Sequence, residues 1–207
     1  MLPMFPLGSP LLPSMLLPLR LFEPRYLAFA RDVMDADRQF GVVIIERGSE
    51  VGGGDVRAMV GCRAEVLEAT ELVDGRWALV CVGTERIRVT SWLDDAPYPR
   101  AMVESWPDDD ADRPIDGFDA LLAQFHSVVS LAAELDPALS PLTGGGGLEL
   151  SDDVAIAVYQ MAVASPLGSF DRHRVLCAPD VSTRTAVLTE LLDDASLLLR
   201  AQLGDNS

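Results

Sequence analysis

Lysine is absent from this chain: all 16 basic residues among its 207 positions are arginine. Without lysine there is no Gly-Lys-Ser/Thr phosphate loop, no Ser–Lys dyad and no Schiff-base lysine. Neither an ATPase motor nor a Ser–Lys protease centre can be built from these residues. The bias itself reads as genomic composition rather than selection for function. Histidine is nearly as scarce, with only His126 and His173. A zinc site needs two more ligands beside either of them. His173 and Cys177 share a helical face at i, i+4, but packing or exposed polar roles are the expectation for them. The three cysteines, Cys62, Cys81 and Cys177, are scattered and odd in number, which does not make a disulfide framework. The N-terminus has no basic segment followed by an apolar run, because Pro3, Pro6, Pro10, Pro13 and Pro18 interrupt it; neither a signal peptide nor a transmembrane helix is expected. A soluble protein of the reducing cytoplasm follows as the expectation.

Catalytic signatures are missing as well. There is no Gly-x-Ser-x-Gly elbow and no Ser, His and Asp grouping that stands out. Carboxylates are so frequent, 32 in all, that pairs of them carry no information. No enzyme, cofactor or metal is expected. The net charge of −16 opposes contact with nucleic-acid phosphates, which depends on Lys and Arg. It also opposes anionic membrane surfaces.

Apolar residues make up 49% of the chain, enough for a real core and against disorder. The N-terminal stretch organises it. Met4-Phe5-Pro6-Leu7 and Leu17-Pro18-Leu19-Arg20-Leu21 read as two short strands, and Pro24 suits the first turn of a helix. Tyr26, Phe29, Ala30, Val33 and Met34 then form its apolar face. Gln39–Glu46 is a continuous β-branched run, as expected of a strand buried on both faces. Gly48–Asp55, with Gly52-Gly53-Gly54, reads as a surface loop. Arg57–Val73 is a long strand, Asp74-Gly75 a hairpin turn, and Trp77 begins the return strand. Gly83 marks a bulge or bend, and Arg86, Ile87, Arg88 and Val89 alternate, which places both arginines on one face. Ala101–Trp106 is a last strand. About six strands and one helix with hairpin connections predict a mixed or antiparallel sheet curled into a small barrel.

Asp108–Asp112 reads as a solvated acidic linker at a domain boundary, not a metal loop. Beyond it the period becomes helical. One stripe comprises Phe118, Leu121, Leu122, Phe125, Val128, Val129 and Ala132, with Pro137 and Pro141 ending that helix and a glycine loop over Thr143–Gly147. Ser151 is the expected N-cap of an apolar helix over Asp152–Ala164. A short helix is expected near Ser169–Cys177. A last helix, from about Asp180 to Gly204, carries Val187, Leu188, Leu191, Leu192, Ala195, Leu198 and Leu199 as its stripe. The predicted organisation is 1–107 as a β subdomain, 108–117 as acidic linker and 118–207 as a bundle of four helices.

Three blocks of residues resemble the Lon protease N-terminal, substrate-binding domain family. The first is Phe5-Pro6-Leu7 with Leu17-Pro18-Leu19 running to Phe22-Glu23-Pro24-Arg25-Tyr26. The second is Asp74-Gly75-Arg76, Gly83-x-x-Arg86-Ile87 and Pro97-Tyr98. The third is Ala164-Ser165-Pro166-Leu167, a short helix, then Leu176-x-x-Pro179-Asp180-x-x-x-Arg184. The resemblance implies an α+β fold: a PUA-like six-stranded β pseudo-barrel with one helix, followed by a C-terminal four-helix bundle. It also implies a stand-alone, non-catalytic protein that recognises polypeptide, with any link to proteolysis through a partner protease. A small-molecule- or RNA-binding module, by analogy with other PUA-like barrels, is the alternative, and an ATP-independent hydrolase is a third. Candidate ligand contacts are Glu23, Arg25, Tyr26, Arg86 and Arg88. Glu23 and Arg25 read either as a pair that pins the helix to the barrel or as a contact to bound peptide. Arg86 and Arg88 either pair with nearby acids or accept a peptide carboxylate.

Overall fold

A computed structural model describes residues 1–48, 54–110, 115–136 and 148–205. They belong to two compact units, Met1–Pro107 and Asp108–Ser207. The first contains β1 (Leu2–Leu7), β2 (Leu16–Leu21), α1 (Pro24–Asp35), β3 (Gln39–Arg47), β4 (Val56–Glu71), β5 (Trp77–Trp92) and β6 (Arg100–Ser105). β1 pairs in parallel with β3, which requires a crossover, and α1 lies within it. The other pairings are antiparallel. The strand order is β2-β5-β4-β3-β1-β6, with β5 also paired to β6. β1, β3, β4, β5 and β6 therefore close a ring, while β2 hangs on β5 alone among the described residues.

Local chemistry explains these elements. Gly75 supplies the positive φ of the β4–β5 turn, and the Asp74 carboxylate accepts the Arg76 N–H. At Gly83 the β4–β5 register shifts, from Cys62 opposite Arg86 to Ala64 opposite Gly83. A Cβ there would collide with the Leu12 carbonyl, so only glycine permits this bend. Residues 49–53 of the expected glycine loop lie outside the described residues.

The core of this unit is aromatic. Phe29 on α1 is fully buried. Its ring centre stands 5.5 Å from that of Phe5, 5.2 Å from Phe40 and 5.4 Å from Tyr98. The edge-on geometry of the last two is the arrangement that ring quadrupoles favour. Tyr98 also donates a 2.7 Å hydrogen bond to Asp32 on the same helix. Its phenol is pushed up to about 12, by burial first and then by the Asp32 carboxylate. Truncation of Phe29 to alanine is expected to cost about 3–5 kcal/mol in chemical denaturation, the usual range for a buried phenylalanine.

The second unit contains α2 (Phe118–Leu135), α3 (Val154–Ala164), α4 (Ser169–Cys177) and α5 (Val181–Asp205). Most of the predicted α2 stripe packs inward: Leu121, Phe125, Val128, Val129 and Ala132 are buried. α3 buries Ala157, Val158, Tyr159, Met161 and Ala162, and α5 packs against α2, α3 and α4. Three expectations are corrected. The α3 cap is Asp153, whose carboxylate accepts the Ala155 N–H at 2.9 Å, whereas the Ser151 hydroxyl accepts from Asp153 N one step earlier. α5 continues past Gly204 to Asp205. Leu198, placed in its buried stripe, is exposed, as is Leu197 beside it. Pro137, Pro141 and the Thr143–Gly147 loop lie outside the described residues.

The acidic stretch differs from a solvated linker at two of its residues. Asp108 pairs with Arg184 of α5 (Nη1 to Oδ2, 3.2 Å). Arg184 is wholly buried, with its guanidinium 4.0 Å from the Tyr159 ring centre. Asp110 is buried and caps α5, accepting from Val181 N at 2.7 Å, Ser182 N at 3.0 Å and Ser182 Oγ at 2.6 Å. Burial works to raise the Asp110 pKa, but these donors carry it below the ordinary aspartate value. Ala111–Pro114, the next part of the expected linker, lie outside the described residues.

Removing one partner of a buried pair strands the other charge. Arg184→Met is therefore expected to lower stability by about 3–5 kcal/mol, read by urea denaturation. Asp110→Ala is expected to cost about 2 kcal/mol near neutral pH, as loss of hydrogen bonds to a charged cap. Because the folded pKa of Asp110 is depressed, its contribution is present above the unfolded value and lost as pH falls through the folded one. The gap between wild type and Asp110→Ala should close on acidification below the ordinary aspartate value of 3.8.

Candidate functional site

The β2–α1 junction exposes what the rest of the first unit hides. Leu19 and Leu21 of β2 point inward and are buried, while Pro18, Arg20 and the following Phe22 alternate with them and are exposed. Phe22 is 61% exposed, unusual for a ring flanked by core residues. Two recesses meet at it. One, of about 230 Å³, is lined by Phe5, Pro6 and Leu7 of β1, by Pro18–Leu21 of β2, and by Phe22, Glu23 and Tyr26. The other, of about 490 Å³, is lined by Arg20, Leu21, Phe22, Leu72, Arg76, Trp77 and Ala78. Arg20, Leu21 and Phe22 form the shared wall.

Glu23 and Tyr26 thus line the first recess, and Arg25 supports them. The Arg25 guanidinium donates to the Glu23 carboxylate at 3.2 Å and stands 4.6 Å from the Tyr26 ring centre. Burial raises the Tyr26 phenol pKa, against the opposing charge of Arg25; Tyr26 is therefore a neutral donor or acceptor at physiological pH. Asp55 and Arg57 add charge nearby. Arg57 donates to Asp55 at 2.6 Å and to Asp95 at 2.7 Å, and its guanidinium stacks 5.0 Å from the Trp92 ring centre. Burial pushes the Asp55 pKa up, but the Arg57 hydrogen bond and charge leave it below the usual carboxylate range.

Arg86 and Arg88 share one face of β5, as the alternation predicts, but neither lines these recesses. The β5–β6 register places Arg88 opposite Glu104. Trp106 follows β6, where its backbone N–H donates to the Arg86 carbonyl at 2.9 Å. Both guanidiniums stack on its ring, at 4.4 Å for Arg86 and 4.1 Å for Arg88. Arg86 is buried and also donates to the Pro107 carbonyl at 3.4 Å. The contact of these arginines with an indole depends on strand register and is invisible in sequence.

Sequence reasoning missed Phe22, Arg20 and Trp77 as surface features. The signal was the period-two alternation of β2, which continues through Phe22 and sets it beside Arg20 on the solvent side. The Arg20 guanidinium has no ion-pair or hydrogen-bond partner among the described residues, unlike that of Arg76, which pairs with Asp74. Among the described residues no three His, Cys, Asp or Glu side chains gather to hold a metal; the Cys177 sulfur lies 3.6 Å from His173 Nε2, which is two donors only. The buried Cys62 and Cys81 thiols are pushed up to about 12 by burial, which makes them poor nucleophiles. No helix among the described residues is long and apolar enough to cross a membrane.

Comparison with known proteins identifies relatives of this chain. Residues 1–194 match the family profile described as the ATP-dependent protease La (LON) substrate-binding domain. The chain is 29% identical to Lon protease 2 of Herpetosiphon aurantiacus over 92% of its length. It is 28% identical to Lon protease 2 of Myxococcus xanthus over 96% of its length. It spans 23% and 24% of those two proteins. The structure resembles the crystal structure of a Lon N-terminal domain protein from Xanthomonas campestris, with a TM-score of 0.65 and 26% identity, covering 91% of this chain and 96% of that one. It shares its fold with the N-terminal domain of the Mycobacterium avium complex Lon protease, with a TM-score of 0.61 at 20% identity, covering 93% of this chain and 98% of that one.

The Glu23–Arg25 pair is small and half-open, each side chain about a fifth exposed. A double-mutant cycle with Glu23→Gln and Arg25→Gln is expected to give a coupling below about 1 kcal/mol in thermal or chemical denaturation. A larger coupling would identify the pair as a structural pin.

Proposed function

The chain belongs to the ATP-dependent protease La (LON) substrate-binding domain family, and we propose that it is a non-catalytic unit that recognises polypeptide, acting in protein turnover through a protease partner. The observation that carries this reading is the Phe22 ring, held in solvent between two recesses at the β2–α1 junction. Apolar side chains of an unfolded segment gain about 25 cal/mol per Å² when such a ring covers them, without needing one sequence. The family's description as a substrate-binding domain supports the assignment, and Glu23, Arg25 and Tyr26 belong to this surface. Arg86 and Arg88, stacked on Trp106, form a second candidate contact for peptide carboxylates. These 207 residues contain no lysine, which agrees with chemistry being supplied elsewhere.

The same reading takes the ring of β1, β3, β4, β5 and β6 as a PUA-like pseudo-barrel, supported by the pairing of β6 to both β1 and β5. It takes the four helices as a bundle, supported by the packing of α5 on α2, α3 and α4. It also divides the chain into 1–107 and 118–207 with acidic residues between, and places the protein in the cytoplasm. The hydrogen bonds that Asp108 and Asp110 accept from α5 support counting the start of the acidic stretch with the helical unit.

Fluorescence anisotropy with labelled, reduced and carboxymethylated α-lactalbumin tests recognition. The wild-type protein is expected to bind saturably, and Phe22→Ser to weaken binding at least tenfold while its Tm changes by less than about 2 °C, as for a surface substitution. A folded, monodisperse wild-type protein that binds no unfolded chain overturns the proposal.

A further inference from the structure

The strand beside Phe22 has an edge with no paired strand among the described residues. β2 pairs with β5 through all six of its residues, from Leu16 opposite Val82 to Leu21 opposite Trp77, and no other strand among the described residues covers its second edge. β1 stands across the first recess without pairing to it: Phe5, Pro6 and Leu7 form one wall, and Pro18 to Leu21 the other. A free strand edge bordered by recesses for side chains is the arrangement that accepts an added strand, whose main chain supplies affinity and whose alternate side chains supply specificity. Pro18 offers no N–H, which keeps the pairing short and protects the edge from unselective addition.

The side chains on this edge define the added strand. Arg20 and Phe22 are two residues apart, both exposed and both on the walls of the two recesses. Directly opposed cross-strand positions put side chains in contact. The residue facing Phe22 is therefore apolar, and the residue facing Arg20 carries the acceptor its guanidinium lacks among the described residues. A carboxylate fits that fork best. Although the whole chain bears −16, long-range repulsion is screened beyond about 8 Å at physiological salt, while a direct guanidinium–carboxylate contact survives.

We propose that the free edge of β2 takes an extended peptide as an added strand, reading an acidic side chain two residues from an apolar one. The inference rests on the polypeptide-binding reading above and adds the segment class it selects.

The test uses the full 207-residue protein and the labelled peptide Ser-Thr-Glu-Thr-Phe-Thr-Ser, with two controls. One replaces the glutamate by lysine; the other moves it next to the phenylalanine. Wild type is expected to bind the first peptide at least fivefold more tightly than either control, with the preference shrinking as salt rises. Arg20→Glu is expected to favour the lysine peptide instead, and amide exchange across Leu16–Leu21 is expected to slow when the first peptide binds. Equal binding of the three peptides, or a glutamate preference that survives in Arg20→Glu, overturns the inference. Carboxymethylated α-lactalbumin, run in parallel, separates the two claims. If wild type binds it saturably while the peptides show no preference, only this inference fails. If wild type binds neither it nor any peptide, the polypeptide-binding reading fails as well.

Discussion

The contact of Phe29 with Phe5, Phe40 and Tyr98 is the constraint on which the first unit depends. It joins the helix to β1, to β3 and to the segment before β6. Those are the elements that the parallel β1–β3 pairing must bring together over a crossover. Rings meeting edge to face hold orientation as well as burial. Tyr26, one turn earlier on α1, carries the same packing outward. Its ring lies 4.4 Å from Phe5, and both residues line the recess beside Phe22. The surface is thus a continuation of the core, and its shape is set by side chains whose rotamers the core fixes. Preorganised apolar surface of this kind loses little freedom on binding.

The second unit solves a different problem. α5 begins with backbone N–H groups that a helix cannot satisfy internally and with a wholly buried arginine. Two distant aspartates share the task with the local cap: Asp180 takes the Thr183 N–H, Asp110 takes those of Val181 and Ser182, and Asp108 takes Arg184. In a chain with 32 acidic residues, these two are distinguished from the solvated majority by what they touch. Their role is structural, and it accounts for a buried arginine without a ligand.

Much of this was legible in the sequence because it is periodic or local. The α1 face of Tyr26, Phe29, Ala30 and Val33 follows helical spacing, Asp74-Gly75 forms the turn it signals, and α4 spans Ser169–Cys177 as expected. The failures concern contacts distant along the chain or choices between adjacent residues. Nothing near Asp110 indicates that α5, about 70 positions later, needs it. Ser151 and Asp153 are both good caps, and only the backbone path selects Asp153. The five candidate site residues do not form one place. Glu23 and Tyr26 line the recess with Arg25 bonded behind them, while Arg86 and Arg88 embrace Trp106 through the β5–β6 register. Phe22 belongs to a motif, and its alternation with Leu19 and Leu21 turns it to solvent.

The central claim is that polypeptide is held at the β2–α1 junction by an apolar surface continuous with the core. Hydrogen–deuterium exchange of the full chain, with and without saturating unfolded protein, tests it most directly. The account predicts slowed exchange concentrated over residues 16–27, around Phe22. Slowed exchange confined to other segments, with residues 16–27 unchanged while binding is saturated, would contradict it.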